Sequence, residues 1–209
     1  MYKKHQTRQC LICHKPLNQE ASLFHLLQNP PVCLNCLNGL NVLDRVVTVS
    51  NYKVHVLYEY NDFFRKLLFQ YKALDDYALK EVFLLLFPEL KKSLKKQTIV
   101  IIPSSEKDNL RRGFCPNEEI AKLFSPNIFK GLYKSKEYKQ TKQVDRSGIK
   151  KVLTIKEGYL LHNKDIIIFD DVMTSSNTIQ AAIKQIEKYH PKSIRIIVLA
   201  CPHINNFIT

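Results

Sequence analysis

Two groups of residues in this sequence have the types and spacings that chemistry requires. The first is Asp170-Asp171 followed by Thr174, Ser175, Ser176, Asn177 and Thr178. An apolar run, Asp165–Phe169, leads into the two acids, and a hydroxyl-rich turn then opens an amphipathic segment. The N–H groups of such a turn and the start of the helix behind it hold a phosphate. The hydroxyls add donors, while adjacent carboxylates accept ribose hydroxyls or bind Mg2+ directly or through water. A sugar phosphate is the ligand this order of groups suits. The plain alternative is an acid pair that caps a loop and a Ser/Thr cluster that only turns the chain.

The second group is cysteine. Cys10-Leu-Ile-Cys13 and Cys33-Leu-Asn-Cys36 form two C-x2-C pairs with nineteen residues between them. This is the spacing of a structural zinc site. Each turn presents two sulfurs, and two turns close a tetrahedral S4 shell that leaves no position open for catalysis. A segment of about forty residues buries too little apolar surface to fold without such a staple. The alternatives are a redox C-x-x-C, chance spacing, or a site in which His14 or His25 replaces one sulfur. Cys115 and Cys201 stand alone and read as packed or incidental thiols.

The elements that must position these groups follow from periodicity. Leu43–Val49 is apolar and β-branched, and Tyr52–Tyr60 reads as a strand. Asn61 or Asp62 caps a helix through Phe63, Phe64, Leu67, Leu68 and Tyr71. A second helix is expected from Asp75-Asp76 through Leu79, Val82, Phe83 and Leu86, kinked or split by Pro88. Thr98–Ile102, Asp165–Phe169 and Ser193–Ala200 are short buried strands, separated by helices at Pro116–Leu123 and Asn177–Tyr189. Continuous apolar strands alternating with helices predict an α/β fold with a parallel sheet covered on both faces. The boundary between the cysteine segment and this domain falls between Gly39 and Tyr52, giving residues 1–45 and 46–209.

Composition narrows the class. The chain has 209 residues, 45% of them hydrophobic, so one or two domains with a real core are expected. Lys and Arg number 32 against 19 acids, a formal charge of +13 that favours polyanionic partners. The longest apolar runs have six residues, as in Val82–Phe87, which stops at Pro88, far short of the ~20 that span a bilayer. The basic N-terminus runs into cysteines and not into an apolar stretch. A soluble cytoplasmic protein that does not span a membrane is expected. Residues Phe129–Lys151 concentrate the charge: Lys130, Lys134, Lys136, Lys139, Lys142, Arg146, Lys150 and Lys151 are interleaved with Tyr133 and Tyr138. Lysines following a phosphate backbone and tyrosines stacking on bases suit single-stranded DNA without sequence readout. Lys134, Lys136, Tyr138 and Lys139 are the candidate contacts, with a solvated basic loop as the alternative.

Ile166–Thr178, four apolar residues, two acids and a hydroxyl-rich turn, resembles the phosphoribosyl-pyrophosphate (PRPP) motif of type I phosphoribosyltransferases. The wider order resembles the late-competence ComF family, ComFC-like proteins in which a zinc module precedes such a domain. Phe69-Gln-Tyr-Lys72-Ala-Leu-Asp75 is similar to that family's K-F-x-G-D segment, with Tyr71 for its Phe and Leu74 for its Gly. Ile101-Ile-Pro103-Ser and Arg112-Gly113-Phe114 are similar to its P-x-P and R-G-F-N-Q region. Gln140-Thr141-Lys-Gln143 and Arg146 stand where it carries T-x-x-Q and an arginine. The resemblance implies that Asp170 and Asp171 meet the ribose hydroxyls and Mg2+. It implies a 5′-phosphate loop of Thr174, Ser175, Ser176, Asn177 and Thr178, and a pyrophosphate site at Pro103-Ser104-Ser105 beside Arg111 or Arg112. Two departures stand out. Ser176 replaces a glycine of the motif, and Cys115-Pro116 replaces Asn-Gln.

The function implied is a DNA-uptake factor of natural transformation. It would handle incoming single-stranded DNA in the cytoplasm, beside a helicase-like partner, and bind Mg-PRPP. The alternative is an active phosphoribosyltransferase that transfers phosphoribosyl from PRPP to a base or amine. After Thr178 no base-recognition pattern follows.

Overall fold

The computed structural model describes residues 8–17, 27–138 and 149–207. A short helix α1 (Leu34–Gly39) follows the second cysteine pair. Strands β1 (Val42–Val49) and β2 (Tyr52–Tyr58) then form an antiparallel hairpin. Helix α2 (Asp62–Ala73) starts where the sequence predicts, because the Asn61 side chain accepts a hydrogen bond from the Phe64 amide at 2.8 Å. Its buried residues Phe64, Leu67, Leu68 and Tyr71 make one face at helical spacing.

The next segment departs from expectation. Tyr77–Leu84 winds as a 3-10 helix, and α3 (Pro88–Leu94) begins afresh with Pro88 in its first turn. Asp75 in the left-handed region and Pro88 bracket the segment. The tighter winding stacks Leu79 over Val82 on the buried side.

The remaining order is β3 (Thr98–Ile101), α4 (Glu106–Arg112), α5 (Pro116–Phe124) and β4 (Ile128–Phe129). It continues through β5 (Leu132–Tyr138), β6 (Ile149–Ile155), β7 (Asp165–Val172), α6 (Asn177–Ile186) and β8 (Ser193–Ala200). The main sheet has six strands in the order β1-β2-β8-β7-β3-β4. All its pairings are parallel except β1 with β2. The expected α/β fold with a mostly parallel sheet is therefore present. Its antiparallel edge and the short helix α4 were not anticipated.

Each face of the sheet carries its own core. Ile167, Phe169, Ile197 and Leu199 pack with α2, α5 and the 3-10 segment. Ile166, Ile168, Ile196 and Val198 pack with Ile179, Ala182, Ile183 and Ile186 of α6. Those four α6 positions follow the i, i+3, i+4, i+7 rule, and full burial of each isoleucine contributes roughly 1.5–3 kcal/mol. Cys10, Ile12, Val32, Cys33, Cys36 and Leu40 belong to the first core, the one that also contains Leu57 and Phe64. The cysteine segment thus packs onto the domain and does not hang from a linker, and β1 runs through the position where the sequence reading divides the chain.

Strands β5 and β6 pair with each other as a separate antiparallel ribbon. The sequence reading assigns no strands to this basic, aromatic stretch and keeps a solvated loop as the alternative to a DNA-binding surface. The ribbon is instead tied down by Leu132 and Leu153, both buried against the second core. At its base, a Cβ on Gly131 would stand 2.2 Å from the Lys156 carbonyl oxygen and 2.4 Å from the Phe129 ring. Only glycine fits that approach.

Candidate functional site

Strand β7 ends in the two acids, and its parallel neighbours β3 and β8 end at the same level. This is the edge of an open α/β sheet where ligands bind. The two carboxyl groups have different partners. Asp171 is buried, with its side chain 13% exposed, and its Oδ2 accepts an ion-paired hydrogen bond from Lys72 Nζ on α2. Asp170 Oδ1 accepts from Asn117 Nδ2 at 3.0 Å and from the Asp171 amide at 2.9 Å. Burial pushes both carboxyls up. In Asp170 the neighbouring Asp171 charge adds to that push, so its carboxyl is held well above the ordinary range. In Asp171 the Lys72 ammonium outweighs burial and holds the carboxyl below its ordinary value. The two carboxyls of the site are therefore shifted in opposite directions.

The turn after the acids is built to leave donors free. Met173 is buried and its amide donates to the Ala200 carbonyl at 3.0 Å, which pins the turn to the end of β8. Thr174, Ser175 and Asn177 are exposed, while Ser176 and Thr178 are half-buried. No side chain caps the N-terminus of α6, and its first turn carries no acid. Ser176 Oγ accepts from Gln180 Nε2 at 2.9 Å and does not serve as a cap. Uncapped N–H groups with no competing carboxylate leave a position for an anion. The serine in place of the motif's glycine introduces no strain here, because Ser176 has a right-handed φ of −75°.

Ser104 and Arg112 are brought together by a residue the sequence reading passed over. Ser104 Oγ donates to Asn109 Oδ1 at 2.9 Å, and Arg112 Nη1 donates to the same oxygen at 3.1 Å. Arg112 Nε donates to the Lys72 carbonyl at 3.0 Å. Arg111 grips Asp75 with both terminal nitrogens, at 2.9 and 3.2 Å. A continuous line of polar contacts thus runs from Ser104 through Asn109 and Arg112 to Lys72, and from Lys72 to Asp171.

A cavity of about 660 Å3 opens beside Ser104 at the carboxyl ends of β3 and β4. Cys115, Lys130, Tyr133, Lys134 and Lys156 line it as well. Ser104 and Lys134 therefore meet at one cavity, which Asp170, Asp171 and the Thr174–Thr178 turn do not line. Lys134 is exposed, and the Lys156 ammonium sits over the Tyr133 ring at 5.2 Å. Lys134, Lys136 and Tyr138 all fall within β5. Lys139, Gln140–Gln143 and Arg146 lie outside the described residues.

The four cysteines converge. Their sulfurs all lie within 4.8 Å of one another, and Cys13 Sγ is 3.7 Å from Cys33 Sγ. A tetrahedron of sulfurs at the usual zinc distance has edges of about 3.8 Å, so the donor set fits such an ion in both kind and spacing. Backbone bonds shape both turns: the His14 amide donates to Cys10 O and the Leu37 amide to Cys33 O, each at 2.9 Å. The Leu11 amide, donating to Pro31 O at 2.9 Å, holds the turns side by side. Burial pushes the Cys33 and Cys36 thiols up, with the Cys10 charge as a further cause. Among the described residues this is the one group of three or more such side chains positioned to bind a metal.

Lys72, Asn109 and Asn117 were missed as site residues. Lys72 lies in the segment similar to K-F-x-G-D, but nothing in that spelling indicates a reach across to β7. Asn117 reads as a helix opener, yet it is 2% exposed and points at Asp170.

Residues 110–205 match the family model of the phosphoribosyl transferase domain. Over 166 residues the chain is 26% identical to the competence protein ComFC of Streptococcus pneumoniae, covering 78% of this chain and 70% of that protein. Among solved structures, a purine phosphoribosyltransferase from Pyrococcus horikoshii aligns over 60% of this chain and 74% of its own, at 20% identity and a TM-score of 0.39. A hypoxanthine phosphoribosyltransferase from Staphylococcus aureus aligns over 58% and 62%, at 13% identity and a TM-score of 0.36. No helix among the described residues is long and apolar enough to cross a membrane. Residues 110–205 thus match a phosphoribosyl transferase domain, the chain is similar to ComFC along most of its length, and four cysteines gather ahead of that domain, as the sequence resemblance implies.

Proposed function

We propose that the protein serves DNA uptake in natural transformation, handling incoming single-stranded DNA in the cytoplasm and binding Mg-PRPP at the end of β7. The observation that carries the phosphate reading is the Asp170-Asp171 pair standing directly before a helix N-terminus that is uncapped and free of acids. The competence reading rests on the relative's name and on the length of chain it shares with this protein.

In this reading the Thr174–Thr178 turn takes the 5′-phosphate through its amides and hydroxyls. Asp170 and Asp171 face the ribose hydroxyls, and the Ser104 loop receives the pyrophosphate end. Two carboxylates are hard oxygen donors of the kind Mg2+ takes. Mg2+ bound with PRPP would offset the charge of its pyrophosphate. The basic ribbon, through Lys134, Lys136, Tyr138 and Lys139, follows the DNA backbone. It shares the Ser104 cavity, which gives PRPP and DNA a route to influence each other. The four cysteines hold a structural Zn2+ in a module, residues 1–45, that docks on residues 46–209.

The test is calorimetric titration of Mg-PRPP into the protein with and without a short DNA strand. Binding is expected, lost when Asp170 and Asp171 are both changed to Asn. Any shift caused by DNA must be matched by an equal shift of DNA affinity caused by PRPP. Binding that survives in the double variant would overturn the site.

One observation favours a second reading, transfer of phosphoribosyl from PRPP to a base or amine. Ser176 adopts an ordinary right-handed conformation, so the lost glycine does not deform the phosphate turn. Release of pyrophosphate from PRPP on addition of a nucleobase would establish that reading.

A further inference from the structure

Asp171 is one of the two acids on β7, and its carboxylate oxygens are donors of the kind a divalent cation takes. Its Oδ2 is already engaged by Lys72 Nζ. This is no loose surface pair: the side chains are 27% and 13% exposed, and their residues lie 99 positions apart in the chain. The backbone beneath the lysine is also held. Its carbonyl accepts from Arg112 Nε, and three residues on Asp75 binds Arg111 through two hydrogen bonds. The C-terminal end of α2 is thus braced from α4 so that Lys72 points at β7. Asp170, the other acid, is directed to Asn117.

We infer that Lys72 is the resident cation of the acid pair, and that a divalent cation reaches Asp171 only by displacing its ammonium. A 2+ ion within a few ångströms of an ammonium in a half-buried site is repelled even at an effective dielectric near 20. The two cations therefore exclude one another at Asp171. The inference rests on Asp170 and Asp171 being the acids that meet Mg-PRPP. It adds that the free protein holds no divalent ion there, so the metal arrives with PRPP or after Lys72 has moved. Because Arg112 holds the lysine's backbone and shares Asn109 with Ser104, displacement of Lys72 would be felt at the Ser104 loop.

The experiment is a Mn2+ titration of the full chain without PRPP, read by the loss of the free-ion paramagnetic signal. Mn2+ prefers oxygen ligands and leaves the thiol cluster aside. The wild type is expected to show no site at Asp171. Lys72→Gln is expected to gain one that is tighter by about tenfold or more and is lost again in the Lys72→Gln/Asp171→Asn double variant. A wild-type site that Asp171→Asn abolishes would overturn the inference, as would a folded Lys72→Gln protein with no gain.

A second measurement needs no variant. Reductive methylation of Lys72 in the wild type, followed by peptide mass, should stay constant over the range of that titration and quicken only at Mn2+ concentrations at least about tenfold higher, where the ion begins to displace the ammonium. A rate unchanged even there would count against competition whatever the fate of Lys72→Gln. PRPP binding is followed separately by calorimetry. If PRPP binds none of these proteins, the phosphoribosyl reading fails while the Mn2+ result still decides the role of Lys72.

Discussion

Asp170 and Asp171 are adjacent and chemically identical, and their surroundings drive them in opposite directions. Burial and the Asp171 charge raise the Asp170 carboxyl, so the folded chain holds that proton more tightly than the unfolded chain does. Its favourable contribution is present below the ordinary carboxylate range and is lost as pH rises through the raised value. Asp170→Asn removes the charge but keeps an acceptor for Asn117. It should therefore stabilise the protein at neutral pH by on the order of 1 kcal/mol, with the gain vanishing near pH 4 in urea unfolding, while Mg-PRPP binding is lost. Glu119 shows the opposite sign. Burial raises it, but Lys122, Tyr77 and Lys80 together outweigh burial and bring its carboxyl down to about 2. Its contribution exists above the ordinary range and disappears as pH falls toward about 2. Glu119→Gln should cost roughly 1–3 kcal/mol at neutral pH, a difference that closes in acid. That it is an acid in the first turn of α5 is readable from sequence. That Tyr77 donates to it at 2.6 Å from a segment more than forty residues away is not.

At the scale of elements, the β5–β6 ribbon shows why a charge run is hard to interpret from sequence. Its lysines give it the composition of a loop, and its strand pairing depends on two buried leucines and one glycine. Charge reversal at Lys134, Lys136 and Lys139 should weaken single-stranded DNA binding and flatten its salt dependence, since each neutralised phosphate contact contributes a counterion-release slope of about 0.7 for single strands. Fluorescence anisotropy at several salt concentrations measures this, and unchanged affinity would move the DNA contacts elsewhere. Gly131→Ala should lift the ribbon from its base through the Lys156 carbonyl and the Phe129 ring, lowering the melting temperature and altering the Ser104 cavity. The turn after the acids illustrates the reverse case. Its hydroxyls, acids and helix start are all legible in sequence, because strand, turn and helix signals coincide within Ile166–Thr178.

At the scale of the whole molecule, the cysteine module shares a core with α2 and the main sheet. At the contact, a Cβ on Gly39 would stand 2.7 Å from the Phe63 ring. Metal removal should therefore lower the stability of the whole chain and not merely loosen its N-terminal segment. Elemental analysis should find about one zinc per chain. A chelator should shift the main calorimetric transition downward, whereas an unchanged transition would mean that the module folds independently of the domain. The buried residues around Cys36 and Leu40 that would lose cover make this coupling a hydrophobic one.

The sequence alone determined what is local or short in range. It carried the two C-x2-C turns, the helix start at Asn61, the apolar strands that alternate with helices, and the acid pair followed by its hydroxyl turn. Each of these is written in residue type and spacing, because backbone geometry repeats over a few residues. Tertiary structure decided which distant groups meet. Lys72 and Asp171 are 99 residues apart, and Asn117 and Asp170 are 53 apart. No periodicity records those distances. They arise because β3, β7 and β8 end at one level and because α2 and α5 pack on the same face of the sheet. The partners of the two acids, and with them the different electrostatics of the pair, are properties of that packing.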